Sequence, residues 1–213
     1  METKRVRVIG AGLAGSEAAL QLASFGFDVD LYEMRPEKPT PAHRGGALAQ
    51  LVCSNSFKGL ALTSAHGLLK NELNMLGSFL LKAAERTAVP AGESLTVNRD
   101  LFSEEVERLI LACPNITLHR EEVKTLEGEF PTIVAAGPLA SDTLADDIFK
   151  RLGSERLHFF DAIAPVVETE SIDFEHAFYK NRWEKGETED FINCPLDKET
   201  YDLFVQKLRE AES

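Results

Sequence analysis

Apolar and polar positions change period several times along the chain, and each change marks an element. Residues 4–9, "KRVRVI", alternate charged and apolar, the two-residue period of a strand. The alternation runs into "GAGLAG". After it, "LAGSEAALQLASFG" sets Leu13, Ala14, Ala18, Leu22 and Phe25 at helical spacing, with Gly26 as the stop. "FDVDLYEM" is a second β-rich run and ends in Glu33. Strand, glycine turn, helix, strand and acid within about 30 residues predict the βαβ opening of a dinucleotide-binding sheet.

Residues 35–64 carry prolines and a Gly-Gly pair but no clear period, and a loop this long inside a domain is usually functional or mobile. "SAHGLLKNELNMLGSFLLKAAERTA" predicts a helical segment with Leu68, Leu69, Leu73, Leu76, Leu80 and Leu81 on one apolar stripe, its continuity weakened by Gly77. "SLTVNRDLFSEEVERLILACPN" predicts a short strand and then a helix from about Asp100 to Ala112, stopped by Pro114. "ITLHREEV" reads as a strand pair and "FPTIVAAGP" as a buried strand ending in a Gly-Pro turn. "SDTLADDIFKRLG" reads as a helix capped by Ser141. Beyond Leu157 the texture shifts to strand-like pieces, a polar stretch and a terminal amphipathic helix in "LDKETYDLFVQKLREAES". No internal repeat or low-complexity tract appears.

Composition narrows the function classes. The 213 residues are 44% hydrophobic and 27% charged, enough for one buried domain and part of a second. A formal charge of -12 argues against a general polyanion binder, so any nucleic-acid contact must come from a local basic patch or from residues outside this chain. No apolar run approaches the ~20 residues of a membrane span, and the N-terminus leads directly into a strand, so a cytoplasmic protein is expected. Cys53, Cys113 and Cys194 are far apart with no ligand-spaced partner, which predicts neither a disulfide framework nor a metal site.

The glycine fingerprint supplies the chemistry. In the run Gly10, Ala11, Gly12, Leu13, Ala14, Gly15, the first glycine permits the tight turn and the second lets the backbone approach a pyrophosphate. The third lets the helix pack on the sheet, and the helix N-terminus offers free N–H groups. Glu33 is placed to accept hydrogen bonds from a ribose hydroxyl. Two later features lean toward FAD rather than NAD. "VNRDLF" opens a helix with Arg99, and "TIVAAGP", containing Gly137, resembles the second strand–glycine turn of flavoproteins of the glutathione-reductase group. Arg99 also fits a surface salt bridge and Gly137 an ordinary turn. Val123, closing "ITLHREEV", is counted with the cofactor-binding residues.

Cys53, in "LVCSNSFKG", lies on the long connection that leaves the sheet's carboxyl edge after the second strand, where loop residues can cover a cofactor. Its thiol fits two accounts, a nucleophile activated by a cation such as Arg44 or Lys58, or a small buried hydrophobe. His43 and His66 flank the segment and are expected to be solvated. Cys113 and Cys194 are expected to pack. Trp183 suits packing better than base stacking.

Together "VIGAGLAGSEAALQLA", "LYEMRP", "TPAH", "LVCSNSF", "LLKNELNMLGS", "PAGESLTVNRDLFSEEV", "GPLASDTLA", "FFDAIAPVVE", "ESIDFEHAF" and "FINCPLDKETYDLF" resemble the methylenetetrahydrofolate–tRNA (uracil-5-)-methyltransferase family along essentially the whole chain. The resemblance implies an α/β, Rossmann-like FAD-binding domain of the glutathione-reductase type over residues 1–163. Residues 164–213 then begin an inserted second domain. It further implies an enzyme that makes 5-methyluridine in the tRNA T-loop. Methylenetetrahydrofolate is the carbon donor, NAD(P)H the reductant and FAD the cofactor, and Cys53 matches the cysteine that lies beside the flavin. A second functional cysteine of the family has no counterpart here, and Cys194 does not match it. Ser213 falls roughly halfway along a family member, so a chain of this length is expected to bind FAD weakly or not at all and to have little activity alone. Two other readings compete: a different FAD-dependent oxidoreductase, which needs neither folate nor Cys53, and a folded, cofactor-free remnant.

Overall fold

A computed structural model describes residues 4–153, 167–181 and 189–211. The chain divides into two compact units. One comprises Met1–Val89 with Ser94–Ala164, the other Pro90–Glu93 with Pro165–Ser213.

The first unit is built on a parallel sheet of β1 (Arg5–Ile9), β2 (Asp28–Tyr32), β6 (Ile116–His119) and β7 (Thr132–Val134) in the order β6-β2-β1-β7. The chain therefore steps outward from β1 through β2 to β6 and then returns to the other side of β1. That reversal is the topological switch point at which Rossmann-like sheets bind ligands. Between β2 and β6 lie a small antiparallel sheet, order β3-β5-β4, and the helices that pack with it. Its strands are β3 (Ser56–Gly59), β4 (Ala88–Val89) and β5 (Ser94–Val97), and the helices are α2 (Ala65–Met75), α3 (Phe79–Arg86) and α4 (Arg99–Leu111). Val8, Val29, Leu31, Phe102, Val106 and Ile110 form the core between sheet and helices.

Helix α1 (Leu13–Ser24) ends as the sequence predicts, with Gly26 at φ +80. Its buried face is different from the predicted stripe. Gly15, Ser16, Ala19, Leu20 and Ala23 face inward, while Leu13 and Phe25 are exposed. Close packing selects small residues here, and the one polar member, Ser16, is satisfied because its hydroxyl donates to the Ala11 carbonyl at 3.1 Å.

The predicted helix over residues 64–88 is two helices, broken where Gly77 adopts φ +81. Of its stripe only Leu80 and Leu81 are buried, whereas Leu68, Leu69, Leu73 and Leu76 are exposed. Helix α2 instead turns Gly67 and Lys70 inward. A side chain at Gly67 would strike the Ala61 backbone, and the Lys70 ammonium donates to the carbonyls of Phe57 and His66, both at 2.8 Å. Helix α3 is held by an acid from α1. Glu17 accepts from the N–H groups of Phe79 (3.1 Å) and Leu80 (2.9 Å), which α3 leaves unpaired at its N-terminus.

"ITLHREEV" forms the single strand β6, not a pair, because the chain leaves the strand after His119 and residues 121–123 line the cavity described below. Strand β7 is short and pairs with β1, and Ile133 and Val134 are exposed where the sequence predicts a buried strand. Helix α5 (Asp142–Leu152) is capped by Ser141, whose hydroxyl accepts from the Leu144 N–H at 3.3 Å.

The second unit contains a 3-10 turn (Thr169–Ser171), the paired strands β8 (Phe178–Tyr179) and β9 (Ile192–Asn193), and α6 (Lys198–Glu210), which Asp197 caps. The terminal helix is as predicted, and Tyr201, Leu203, Phe204 and Leu208 on it are exposed. Cys194 is exposed, contrary to the expected packing role, whereas Cys113 packs against the core. Trp183 and most of "FFDAIAPVVE" lie outside the described residues.

Candidate functional site

Where β1 ends, the backbone turns sharply at Gly10 (φ +97). A Cβ on Gly10 would meet the Ala135 carbonyl oxygen at 2.6 Å, so β1 and the end of β7 approach too closely for a side chain. A Cβ on Gly15 would overlap the Gly10 carbonyl. Gly12 differs from both, since a Cβ there meets nothing within 4 Å and faces open space. Helix α1 starts at this corner with no side-chain cap and no acid in its first turn, which leaves its N–H groups and positive dipole end available to an anion.

The open space is a cavity of about 280 Å³ at the carboxyl edge of the sheet. Gly10, Gly12, Leu13, Ala14, Glu33, Val123 and Gly137 all line it. Ala11 and Gly15 are buried just behind. Arg99, the first residue of α4, is half-buried and does not line the cavity. Cys53 is exposed and likewise outside the lining, although the adjacent Val52 is part of it. Of the cations considered for the thiol, Lys58 is exposed, and exposed Arg44 contacts Gln50 through its backbone.

Glu33 is buried at the end of β2. Its Oε2 accepts from the Ala11 N–H at 3.3 Å and from Arg35 Nη2 at 3.2 Å. Its Oε1 accepts from Arg35 Nε at 2.9 Å and from the Arg35 N–H at 3.0 Å. Burial pushes the carboxyl up, but the Arg35 side-chain and backbone hydrogen bonds, its charge and the Ala11 N–H together hold it below the usual carboxylate value. Glu33 is therefore an anion at neutral pH.

Several lining residues escape sequence reasoning. Arg35 and Gln50 stand on the aperiodic loop, where no spacing rule applies. His43, expected to be solvated, is half-buried on the cavity wall with its Nδ1 2.6 Å from Thr40 Oγ1. The only signal available for Arg35 is its place two residues after the acid.

Among the described residues no group of three or more His, Cys, Asp or Glu side chains could hold a metal ion, and no helix is long and apolar enough to cross a membrane.

The family model for glucose inhibited division protein A matches residues 5–213. The protein named methylenetetrahydrofolate–tRNA-(uracil-5-)-methyltransferase TrmFO from Lactobacillus helveticus is 50% identical over 210 residues, 99% of this chain and 51% of that relative. The protein of the same name from Dictyoglomus turgidum is 49% identical over 99% of this chain and 48% of its own length. The chain thus spans about half the length of the curated relatives it matches. Among solved structures, Aquifex aeolicus GidA in its form II crystal aligns with 59% of this chain and 20% of its own, at 22% identity and a TM-score of 0.48. The match through the glycine corner, the acid and nearly every residue after them places this chain in the glucose inhibited division protein A family.

Proposed function

We propose that the cavity at the glycine corner takes the adenosine diphosphate half of FAD, in a chain that forms part of a folate- and FAD-dependent tRNA uracil-5-methyltransferase. The observation that carries this reading is the convergence on one cavity of an uncapped helix N-terminus, the side-chain-free surface at Gly12 and the buried Glu33 carboxylate. These groups fit a pyrophosphate followed by a ribose. The roughly half identity to proteins carrying the methyltransferase name, over 99% of this chain, supports the reaction class.

Each residue then has a task. The N–H groups at the start of α1 neutralise the pyrophosphate, and Gly12 lets the backbone reach it. Gly10 and Gly15 set the corner's shape. Glu33 would accept from a ribose hydroxyl, and Val123 and Gly137 would contact the same half of the cofactor from the cavity wall they line. FAD, when bound, supplies redox and one-carbon-transfer chemistry. Uracil C5 is a poor nucleophile until a thiolate adds at C6, so a cysteine belongs to the reaction. Cys53, exposed next to a residue of the cavity wall, is the thiol of this chain best placed to take part. On this reading residues 1–163 are the FAD-binding part and 164–213 open an inserted domain. The substrates are the T-loop uridine of tRNA, methylenetetrahydrofolate and NAD(P)H, and the setting is the cytoplasm.

The test uses a polypeptide that extends this chain to the length of its relatives. Incubated with FAD, unmodified tRNA, methylenetetrahydrofolate and NAD(P)H, it should yield 5-methyluridine by nucleoside mass spectrometry. NAD(P)H oxidation without folate or tRNA, and with no methylated product, would instead mark a general flavin oxidoreductase.

A further inference from the structure

Arg35 is as deeply buried as Glu33, with side-chain exposures of 3% and 7%, and both line the cavity. A carboxylate offers about four acceptor sites. Those of Glu33 are filled: Arg35 takes three of them through Nε, Nη2 and its own N–H, and the Ala11 N–H takes the fourth. The third arm of the guanidinium, Nη1, reaches Gln50 Oε1 at 3.4 Å. Gln50 in turn clamps the Arg44 main chain, accepting from its N–H at 2.9 Å and donating to its carbonyl at 2.8 Å. Arg35 itself is held from behind by Arg120, whose Nη1 donates to the Arg35 carbonyl at 3.1 Å and whose Nη2 pairs with Glu107 at 2.7 Å.

We propose that Arg35 is a positioning residue for dinucleotide binding. It grips both oxygens of Glu33 in one fixed plane at the cavity wall, and through Gln50 it fixes the loop bordering that wall. The inference rests on the reading of the cavity as a dinucleotide site. A ribose hydroxyl enters by exchange with the longest of the four bonds, the 3.3 Å contact from Ala11, while the guanidinium fork stays in place. Without Arg35 the carboxyl would remain buried with no cation beside it, and burial would then favour its neutral form, a weaker acceptor. The other ionisable groups on the cavity wall are Tyr32, His43, Glu121 and Glu122, the last paired with Lys38 at 2.6 Å. All are common to every variant below, and Arg35→Lys, which keeps a positive charge beside them, controls for their contribution.

The experiment is FAD titration by calorimetry into this chain extended to the length of its relatives, unsubstituted and as Arg35→Met and Arg35→Lys, at pH 5, 6, 7 and 8. In Arg35→Met the loss of affinity relative to the unsubstituted polypeptide should grow toward acid, approaching about tenfold per pH unit below the carboxyl's new midpoint. Arg35→Lys keeps the charge, so its ratio should stay constant across the range while the lost fork leaves affinity lower. Should Arg35→Met fail to fold, Arg35→Gln retains a donor without the charge and carries the same comparison. Binding by the unsubstituted extended polypeptide with a ratio for Arg35→Met that does not change with pH overturns the positioning role alone. Absence of FAD binding by the unsubstituted extended polypeptide overturns the reading of the cavity and this inference with it.

Discussion

Ala49 donates its backbone N–H to the carbonyl of Ala11 across 2.9 Å, and it does so at a left-handed φ of 49°. The Ala11 carbonyl also accepts the Ser16 hydroxyl, and the Ala11 N–H donates to Glu33. The backbone of one residue of the glycine corner, Ala11, thus ties together the start of α1, the acid at the end of β2 and the loop that leads into Cys53. An alanine in the left-handed region costs about 1 kcal/mol or more, so this loop conformation is maintained by its tethers and not by local preference.

That tether can be cut. Ala49→Pro deletes the donor and forces φ to about −65°, and stability should fall by roughly 3 kcal/mol or more. Ala49→Gly keeps the donor and suits the backbone, and should remain within about 1 kcal/mol of the unsubstituted chain. Urea unfolding of both variants checks the pair. An unchanged midpoint for Ala49→Pro would show that the loop does not depend on Ala11.

The three glycines of the corner should separate folding from binding. Alanine at Gly10 or Gly15 drives a methyl into backbone atoms, so both variants should melt several degrees lower. Alanine at Gly12 meets only open space at an ordinary φ of -71, so stability should fall by no more than the about 1 kcal/mol that alanine costs at a helix N-cap. Its FAD affinity should nevertheless fall by about tenfold or more, because the methyl occupies the approach to the phosphate. Thermal melts of the chain read the first effect, and FAD titrations of a polypeptide extended to the length of the relatives read the second. Equal FAD affinity in Gly12→Ala and the unsubstituted polypeptide would remove the corner from the binding site.

What the sequence revealed follows from how local each signal is. The corner and Glu33 are legible because a strand, a turn and a helix in immediate succession leave a fixed spacing. The packing face of α1 is not, since apolar size misleads where close approach selects Ser16 and Ala19 over Leu13 and Phe25. The leucines of α2 carry a helical period and still face solvent, because period reports a helix and not what covers it. Arg35, His43 and Gln50 reach the cavity through loop contacts that no periodicity encodes. Their involvement becomes visible only once the chain has closed on itself.

Acid should weaken the packing of α4 against α3 through Glu105. Hydrogen bonds from Arg108 and then Arg86 lower its pKa from 4.5 to about 2. A depressed carboxyl contributes stability that is complete above its unfolded value and is lost as pH falls through its folded value. The Glu105 contribution is therefore present at pH 5 and lost between about 4.5 and about 2. Glu105→Gln should be less stable than the unsubstituted chain at pH 5, and the two should converge near pH 2. Urea midpoints at pH 5, 4 and 3 measure the difference, and a constant gap would show that Glu105 is not the group responsible.

Cys53 and Cys113 should behave as opposites. Cys53 is exposed, so a thiol reagent should label it quickly, whereas Cys113, partly buried against the core, should react more slowly and speed up as the protein opens. Replacing an exposed side chain that contributes little packing, Cys53→Ala should change stability by less than about 0.5 kcal/mol. In a polypeptide extended to the length of the relatives, the same substitution should leave the flavin absorption spectrum intact while abolishing 5-methyluridine formation. The two readouts together isolate a chemical role from a structural one: loss of flavin along with activity would mean that Cys53 shapes the cavity, and undiminished methylation would mean that the thiol takes no part in the reaction.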